Sequence, residues 1–162
     1  MKFDPNELKE AFIAAARLAR IEVKPSDVRI ELVPAPHRWP NSLPLGSQAV
    51  YCFLLGEGCL KVGKAGPKTQ ARFTGQHYGD NAPSTLAKSI IKDRSRMTQL
   101  VPEASRTEFE ALQLGSVGGW LEKNTARLHL FIPDSAPSCA LDFAEAFLQC
   151  WLRPVYEGKG SQ

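Results

Sequence analysis

The chain has no run of about 18 consecutive apolar residues, so no segment reads as a membrane-spanning helix. Its opening stretch, Met1 to Glu10, lacks the apolar core of a secretory signal, and the expectation is a cytoplasmic protein with no membrane partner. Metal-type cysteine spacing is missing too. Cys52, Cys59, Cys139 and Cys150 each sit among apolar neighbours and read as buried free thiols rather than as disulfides or zinc ligands. There is no Walker loop, no GxSxG and no HExxH, which leaves hydrolases built on those motifs without support.

What is present is an ordinary globular composition, 43% hydrophobic and 23% charged over 162 residues, enough for one domain with an elaboration. The net charge of +3 is unevenly spread. Residues 61–96 carry eight Lys/Arg (Lys61, Lys64, Lys68, Arg72, Lys88, Lys92, Arg94, Arg96) against Asp80 and Asp93, while the flanking segments are balanced or acidic. A local basic face of this kind suits a phosphate-backbone ligand, and equally a solvated helix surface.

Asp4-Pro5-Asn6-Glu7 is a helix start, with a capping Asp, Pro at the first position and Glu at the third. Leu8, Phe12, Ala15 and Ala19 continue it to about Ile21. Val28, Ile30 and Leu32 alternate with Arg29 and Glu31, a half-buried strand. The prolines between Pro34 and Pro44 make a stiff connector. Residues 1–47 are thus an N-terminal extension, residues 48–158 the main unit and 159–162 a tail. In the main unit, Tyr51–Leu55 and Cys59–Gly63 flank the turn Gly56-Glu57-Gly58, and alternation puts Lys61 on the sheet face opposite Leu60 and Val62. Helices are expected over Lys68–Gln76 and, after Pro83-Ser84, over Thr85–Arg94. Thr107 and Glu110 form a capping box for a helix running to Lys123 with Phe109, Leu112 and Trp120 inward. Gly115, Gly118 and Gly119 suggest a kink or a close contact in it. Arg127–Ile132 is a strand and Ser138–Leu152 the last helix. The expected fold is α+β: a small antiparallel sheet of about three strands flanked by helices, with an N-terminal helix-strand extension.

Leu141, Leu148 and Leu152 mark the apolar stripe of the last helix, and Glu145 falls on it. A carboxylate there calls for a salt bridge, an edge position or a metal. Tyr51, Lys61, Arg72, His77 and Tyr78 each have an ordinary structural reading, and nothing is assigned to His37 or His129. Together, however, Val50-Tyr51, then Lys61-Val62-Gly63, then Arg72 on a following helix, then Glu145 within Leu141–Leu148 and Pro154 beyond, resemble the GIY-YIG nuclease superfamily. Ala49-Val50 replaces the Gly-Ile of its first triplet, and no Asn follows Pro154, where Glu157 stands instead. Lys61 replaces the Tyr of the second triplet, as in branches reading Lys-Ile/Val-Gly; it marks either such a branch or a decayed site.

The resemblance implies a GIY-YIG-like fold and hydrolysis of a phosphodiester, DNA first, with Mg²⁺ (or Mn²⁺). Glu145 would ligate the ion. Tyr51 would act as general base or orient the water, and a phenol with pKa near 10 needs a cation beside it, for which Lys61 stands ready. Arg72 would stabilise charge on the phosphorus oxygens, and His77 would assist proton transfer. Lys64, Lys68, Lys88, Lys92, Arg94 and Arg96 would bind nucleic-acid phosphates. A second copy or a protein partner would supply specificity, in restriction, defence or DNA processing. Two rivals stand beside this: a catalytically silent nucleic-acid-binding module of the same fold, and a protein-interaction domain in which Glu145 is salt-bridged, Arg72 being one partner.

Overall fold

The computed structural model describes residues 4–79, 82 and 85–156. The expected helix start at Pro83-Ser84, the acid Asp80, Glu157 and the 159–162 tail lie outside these residues. The fold is α+β, with a four-stranded antiparallel sheet rather than about three strands. The additional strand comes from the N-terminal segment. β1 (Arg29–Val33) pairs with β4 (Ala126–Pro133), β4 with β2 (Ser47–Leu55), and β2 with β3 (Gly58–Ala65), giving the order β1-β4-β2-β3. As an edge strand β1 is less buried than its alternation suggests; Val28 just before it is buried, whereas Leu32 is exposed.

The two faces of the sheet carry separate cores. On one face Val50, Cys52, Val62, Leu128 and Leu130 meet α1 (Pro5–Leu18) and α6 (Ser138–Leu152). Asp4 caps α1 by accepting a hydrogen bond from the Asn6 N–H at 2.8 Å, and Pro5 opens the helix. The helix ends at Leu18, a turn earlier than its apolar spacing suggests. On the other face Tyr51, Phe53, Leu60 and Phe131 pack under α3 (Leu86–Lys92), α4 (Glu103–Glu110), α5 (Leu114–Asn124) and the short α2 (Gln70–Phe73).

Three expectations fail for identifiable reasons. The helix expected from Thr107 to Lys123 is two helices, α4 and α5, because α4 begins after Pro102 and the carbonyls of Glu110 and Leu112 at its end accept from the Arg94 guanidinium. Ser116 then accepts from the Gln113 N–H at 3.0 Å and starts α5 afresh. The helix expected over Lys68–Gln76 is one turn of α-helix between two 3₁₀ turns, Pro67–Thr69 and Gln76–Tyr78. Thr85–Arg94 is likewise helical only to Lys92, followed by a 3₁₀ stretch. Of the cysteines, Cys52 and Cys59 are buried, but Cys139 and Cys150 are exposed on α6. No helix is long and apolar enough to cross a membrane among the described residues.

Candidate active site

The site lies along β3, the last strand of the sheet order. The chain leaving α6 turns at Arg153, in the left-handed region with φ 48°, and crosses that strand: the Val155 and Tyr156 N–H groups donate to the Cys59 and Leu60 carbonyls at 2.9 and 2.8 Å. The first part of β3 is thereby covered. The part from Lys61 to Lys64 forms the wall of a cleft of about 440 Å³, lined also by Tyr51, Arg72, Gln76, His77, Glu145 and Gln149. The five residues named from the sequence as catalytic, Tyr51, Lys61, Arg72, His77 and Glu145, all line this one cleft. A larger depression, about 670 Å³ between Glu22–Asp27 and Pro133–Pro137, holds none of them.

Tyr51 reaches the cleft because its cross-strand partner is Gly63. A Cβ at position 63 would stand 2.6 Å from the Tyr51 hydroxyl oxygen and 2.7 Å from Cζ, so the ring lies across a space only glycine leaves. Lys61 lies on the Tyr51 face by alternation from Gly63, opposite Val62 as its spacing suggests. Phe53 pairs with Lys61 and Leu54 with Cys59, which makes Leu60 the extra residue of a β-bulge. The bulge turns Leu60 onto the Tyr51 face as well, where alternation had put it on the opposite face from Lys61.

Tyr51 Oη is 2.6 Å from His77 Nε2. The other ring nitrogen settles the direction of this bond. His77 Nδ1 accepts the N–H of Leu86, the first residue of α3, at 3.2 Å, so Nδ1 carries no hydrogen. Burial, with Lys61, Arg127 and Arg72 nearby, pushes the His77 pKa down to about 3, and the ring is neutral. The hydrogen is on Nε2, and His77 donates to Tyr51. Burial raises the Tyr51 pKa, against the pull of Arg127 and Arg72, so the resting side chain is a phenol whose own hydrogen is not used by the histidine.

Arg127 is the residue sequence reasoning missed. It is 1% exposed, on β4 opposite Phe53, and its guanidinium lies 5.1–5.9 Å from the ring centres of Phe53, Phe73, Tyr51 and Tyr78. It donates to the Phe73 carbonyl at 2.7 Å and to Tyr78 Oη at 3.2 Å. Among the described residues it makes no ion pair. One cation thus ties both ends of the segment carrying Arg72 and His77 to the sheet. His37 adds a second tie, with Nδ1 2.6 Å from the Thr125 carbonyl and Nε2 2.6 Å from Tyr78 Oη. The signal available in the sequence was the alternation Arg127-His129-Phe131, which shares the face of Tyr51 through the register Tyr51↔His129. His129 is buried with neither nitrogen hydrogen-bonded among the described residues, its Nδ1 lying 3.7 Å from Glu31 Oε2.

The centre of the α6 stripe is Ala140, Ala144 and Leu148; Leu141 and Leu152 flank it, and Glu145 stands at its cleft-side edge, 22% exposed. Its partner is Lys64, not Arg72: Lys64 Nζ lies 2.7 Å from Glu145 Oε2 and 2.6 Å from Asp142 Oδ1. Both carboxylates raise the Lys64 pKa. No group of three His, Cys, Asp or Glu side chains able to hold a metal occurs among the described residues. A lone carboxylate still suits Mg²⁺, which keeps several waters and takes one or two carboxylates plus substrate phosphate. Lys64 holds Oε2 of Glu145 and has Asp142 as a second anchor.

The expected phosphate contacts divide. Lys68 and Lys92 are exposed. Lys64 is committed to Asp142 and Glu145, Lys88 donates to the Ala82 carbonyl at 3.0 Å, and Arg94 is spent on the end of α4. Arg96 lies over the Tyr156 ring at 5.6 Å, near the covered end of β3. The basic run is therefore not one continuous face.

Comparison of the chain with family models, with curated proteins and with solved structures finds no match.

Proposed function

We propose that the chain is a metal-dependent phosphodiester hydrolase of the GIY-YIG type acting on nucleic acid, DNA first. The observation that carries the reading is the convergence of Tyr51, Lys61, Arg72, His77 and Glu145, from three separate parts of the sequence, in one cleft along β3. These are the side chains such a reaction needs, and nothing in local packing requires all five to meet. Glu145 would hold Mg²⁺ or Mn²⁺, which supplies Lewis-acid neutralisation of the phosphate charge. Arg72 and Lys61 place positive charge where the phosphorus oxygens gain negative charge.

Tyr51, once ionised, takes a proton from the attacking water as the new P–O bond forms and the bond to the leaving oxygen breaks. The Nε2–H of His77 steadies the phenolate rather than accepting its proton. Because burial raises the Tyr51 pKa, the active form is scarce near neutrality, and cleavage should quicken as pH rises toward the alkaline range.

A second reading rests on the Lys64–Glu145 pair: a silent nucleic-acid-binding module in which that ion pair has replaced the metal. Nicking of supercoiled plasmid and of single-stranded DNA with Mg²⁺ or Mn²⁺ separates the two. Wild type should cleave, and Glu145→Ala and Tyr51→Phe should each lose at least about 100-fold, the size of a removed general base or charge stabiliser. Salt-dependent binding without any metal-dependent cleavage would favour the silent module.

A further inference from the structure

Next to the catalytic cleft lies a second one, about 620 Å³, whose lining includes Trp39, Asn41, Ala71, Gln76 and Tyr78. Gln76 lines both clefts, so the two are continuous through one side chain. Trp39 is 45% exposed although it is among the largest apolar side chains in the chain. Its ring leans on Tyr78, 5.3 Å between centroids at 54°, which supports one side of the indole and leaves surface on the cleft side.

The connector holds Trp39 rigidly. Two residues earlier, His37 is anchored three times: its N–H donates to the Glu122 carbonyl at 2.8 Å, and its ring bonds the Thr125 carbonyl and Tyr78 Oη. Pro40 follows directly. An exposed aromatic on an ordered, proline-stiffened segment needs little further ordering to bind a flat partner.

Charge narrows the choice of partner. Among the described residues that line this second cleft, none is acidic. Arg38 precedes Trp39 and Arg72 follows Ala71, both exposed. A flat aromatic surface, amides at Asn41 and Gln76 and flanking arginines, continuous with a candidate phosphodiester site, match the requirements of single-strand recognition, in which bases stack on aromatic side chains and a basic groove follows the backbone.

We propose that Trp39 is the stacking platform for an unpaired nucleobase of the strand whose phosphodiester enters the catalytic cleft. The inference rests on the phosphodiester reading and names its substrate class: single-stranded or locally unpaired nucleic acid. A base inside a duplex has both faces covered by its neighbours and cannot engage the indole.

The test is binding of a fluorescently labelled twelve-nucleotide homothymidine strand and of a labelled twelve-base-pair duplex, by anisotropy in EDTA so that nothing is cut. Trp39→Ala should weaken single-strand binding roughly five- to 100-fold, the range for loss of one stacked base, and duplex binding less than about twofold. Trp39→Phe should recover most of the loss. In Trp151→Phe, where Trp120 is the other remaining indole and is buried, the single strand should quench tryptophan emission. Unchanged single-strand affinity in Trp39→Ala, or equal losses for strand and duplex, overturns the proposal. Trp39-dependent strand binding without metal-dependent cleavage would leave the subsite standing and remove the hydrolase reading; Glu145-dependent cleavage with no effect at Trp39 would do the reverse.

Discussion

His77 Nε2 donates to Tyr51 Oη across 2.6 Å, and the Leu86 amide fixes that direction by occupying Nδ1. The start of α3 therefore decides which way a proton can move in a cleft formed mainly by other elements. Two amide substitutions separate the two nitrogens. His77→Gln keeps a donor near the Nε2 position and loses the acceptor for Leu86, whereas His77→Asn keeps an acceptor near Nδ1 and loses the donor to Tyr51. Cleavage by the Gln variant should exceed that by the Asn variant about tenfold or more in a plasmid-nicking assay. The opposite order would mean that the acceptor for Leu86 matters more to cleavage than the donor to Tyr51.

Gly63→Ala should damage the site more than its size suggests. The new methyl would stand 2.6 Å from the Tyr51 oxygen, and relieving it moves the phenol away from His77. Overpacking of this kind costs about 1–3 kcal/mol. Thermal unfolding should show that loss, while cleavage falls to the level of Tyr51→Phe. A variant with wild-type activity would show that the ring does not need its place over residue 63.

Arg127→Met should separate stability from activity. Methionine removes a buried cation that has no ion-pair partner among the described residues, and with it the desolvation cost, while losing the bonds to the Phe73 carbonyl and Tyr78 Oη. These effects oppose each other, and the stability change should stay within about 2 kcal/mol. The segment carrying Arg72 and His77 would lose one of its ties, so kcat should fall at least about tenfold. Denaturant unfolding beside cleavage kinetics checks both; unchanged kcat would limit Arg127 to packing.

The chain has three histidines, and all three are buried with lowered pKa, His77 and His129 to about 3, in each case chiefly through desolvation. In the unfolded chain they take up protons near pH 6.5. Below that value the unfolded state binds more protons than the native one, so stability present above pH 6.5 is lost as pH falls toward 3. His77 and His129 each contribute up to about 1.4 kcal/mol per pH unit in that window, and His37 adds in the same direction. Circular dichroism should show the melting temperature dropping steeply from pH 6.5 to 4. His129→Phe, between Phe73 and Phe131, should make the slope shallower. A melting temperature flat across that window would show that the histidines are accommodated as cations.

The sequence alone determined what depends on neighbours along the chain. Asp4-Pro5 sets the start of α1, Gly56 with φ 57° closes the β2–β3 turn, and Ser138–Leu152 is helical over the range its apolar spacing marks. Tyr51, Gly63, Arg72 and Glu145 were singled out by a resemblance spread along the sequence, each having an ordinary reading by itself, and the fold brings them to one cleft.

Only the tertiary structure decided the rest. Pairing of β1 with β4 is set by hydrogen bonds between segments roughly 100 residues apart, about which periodicity says nothing. The bulge reverses the facing of Leu60 relative to Lys61, and a single inserted residue leaves no mark in alternation. Glu145 looks like a core-side carboxylate on its own helix, yet its charge is met by Lys64 from the edge of β3. Arg127 looks like the solvent-facing residue of a half-exposed strand. It is buried because the covering layer of helices places Phe73 and Tyr78 over it, and that layer is a property of the folded chain alone.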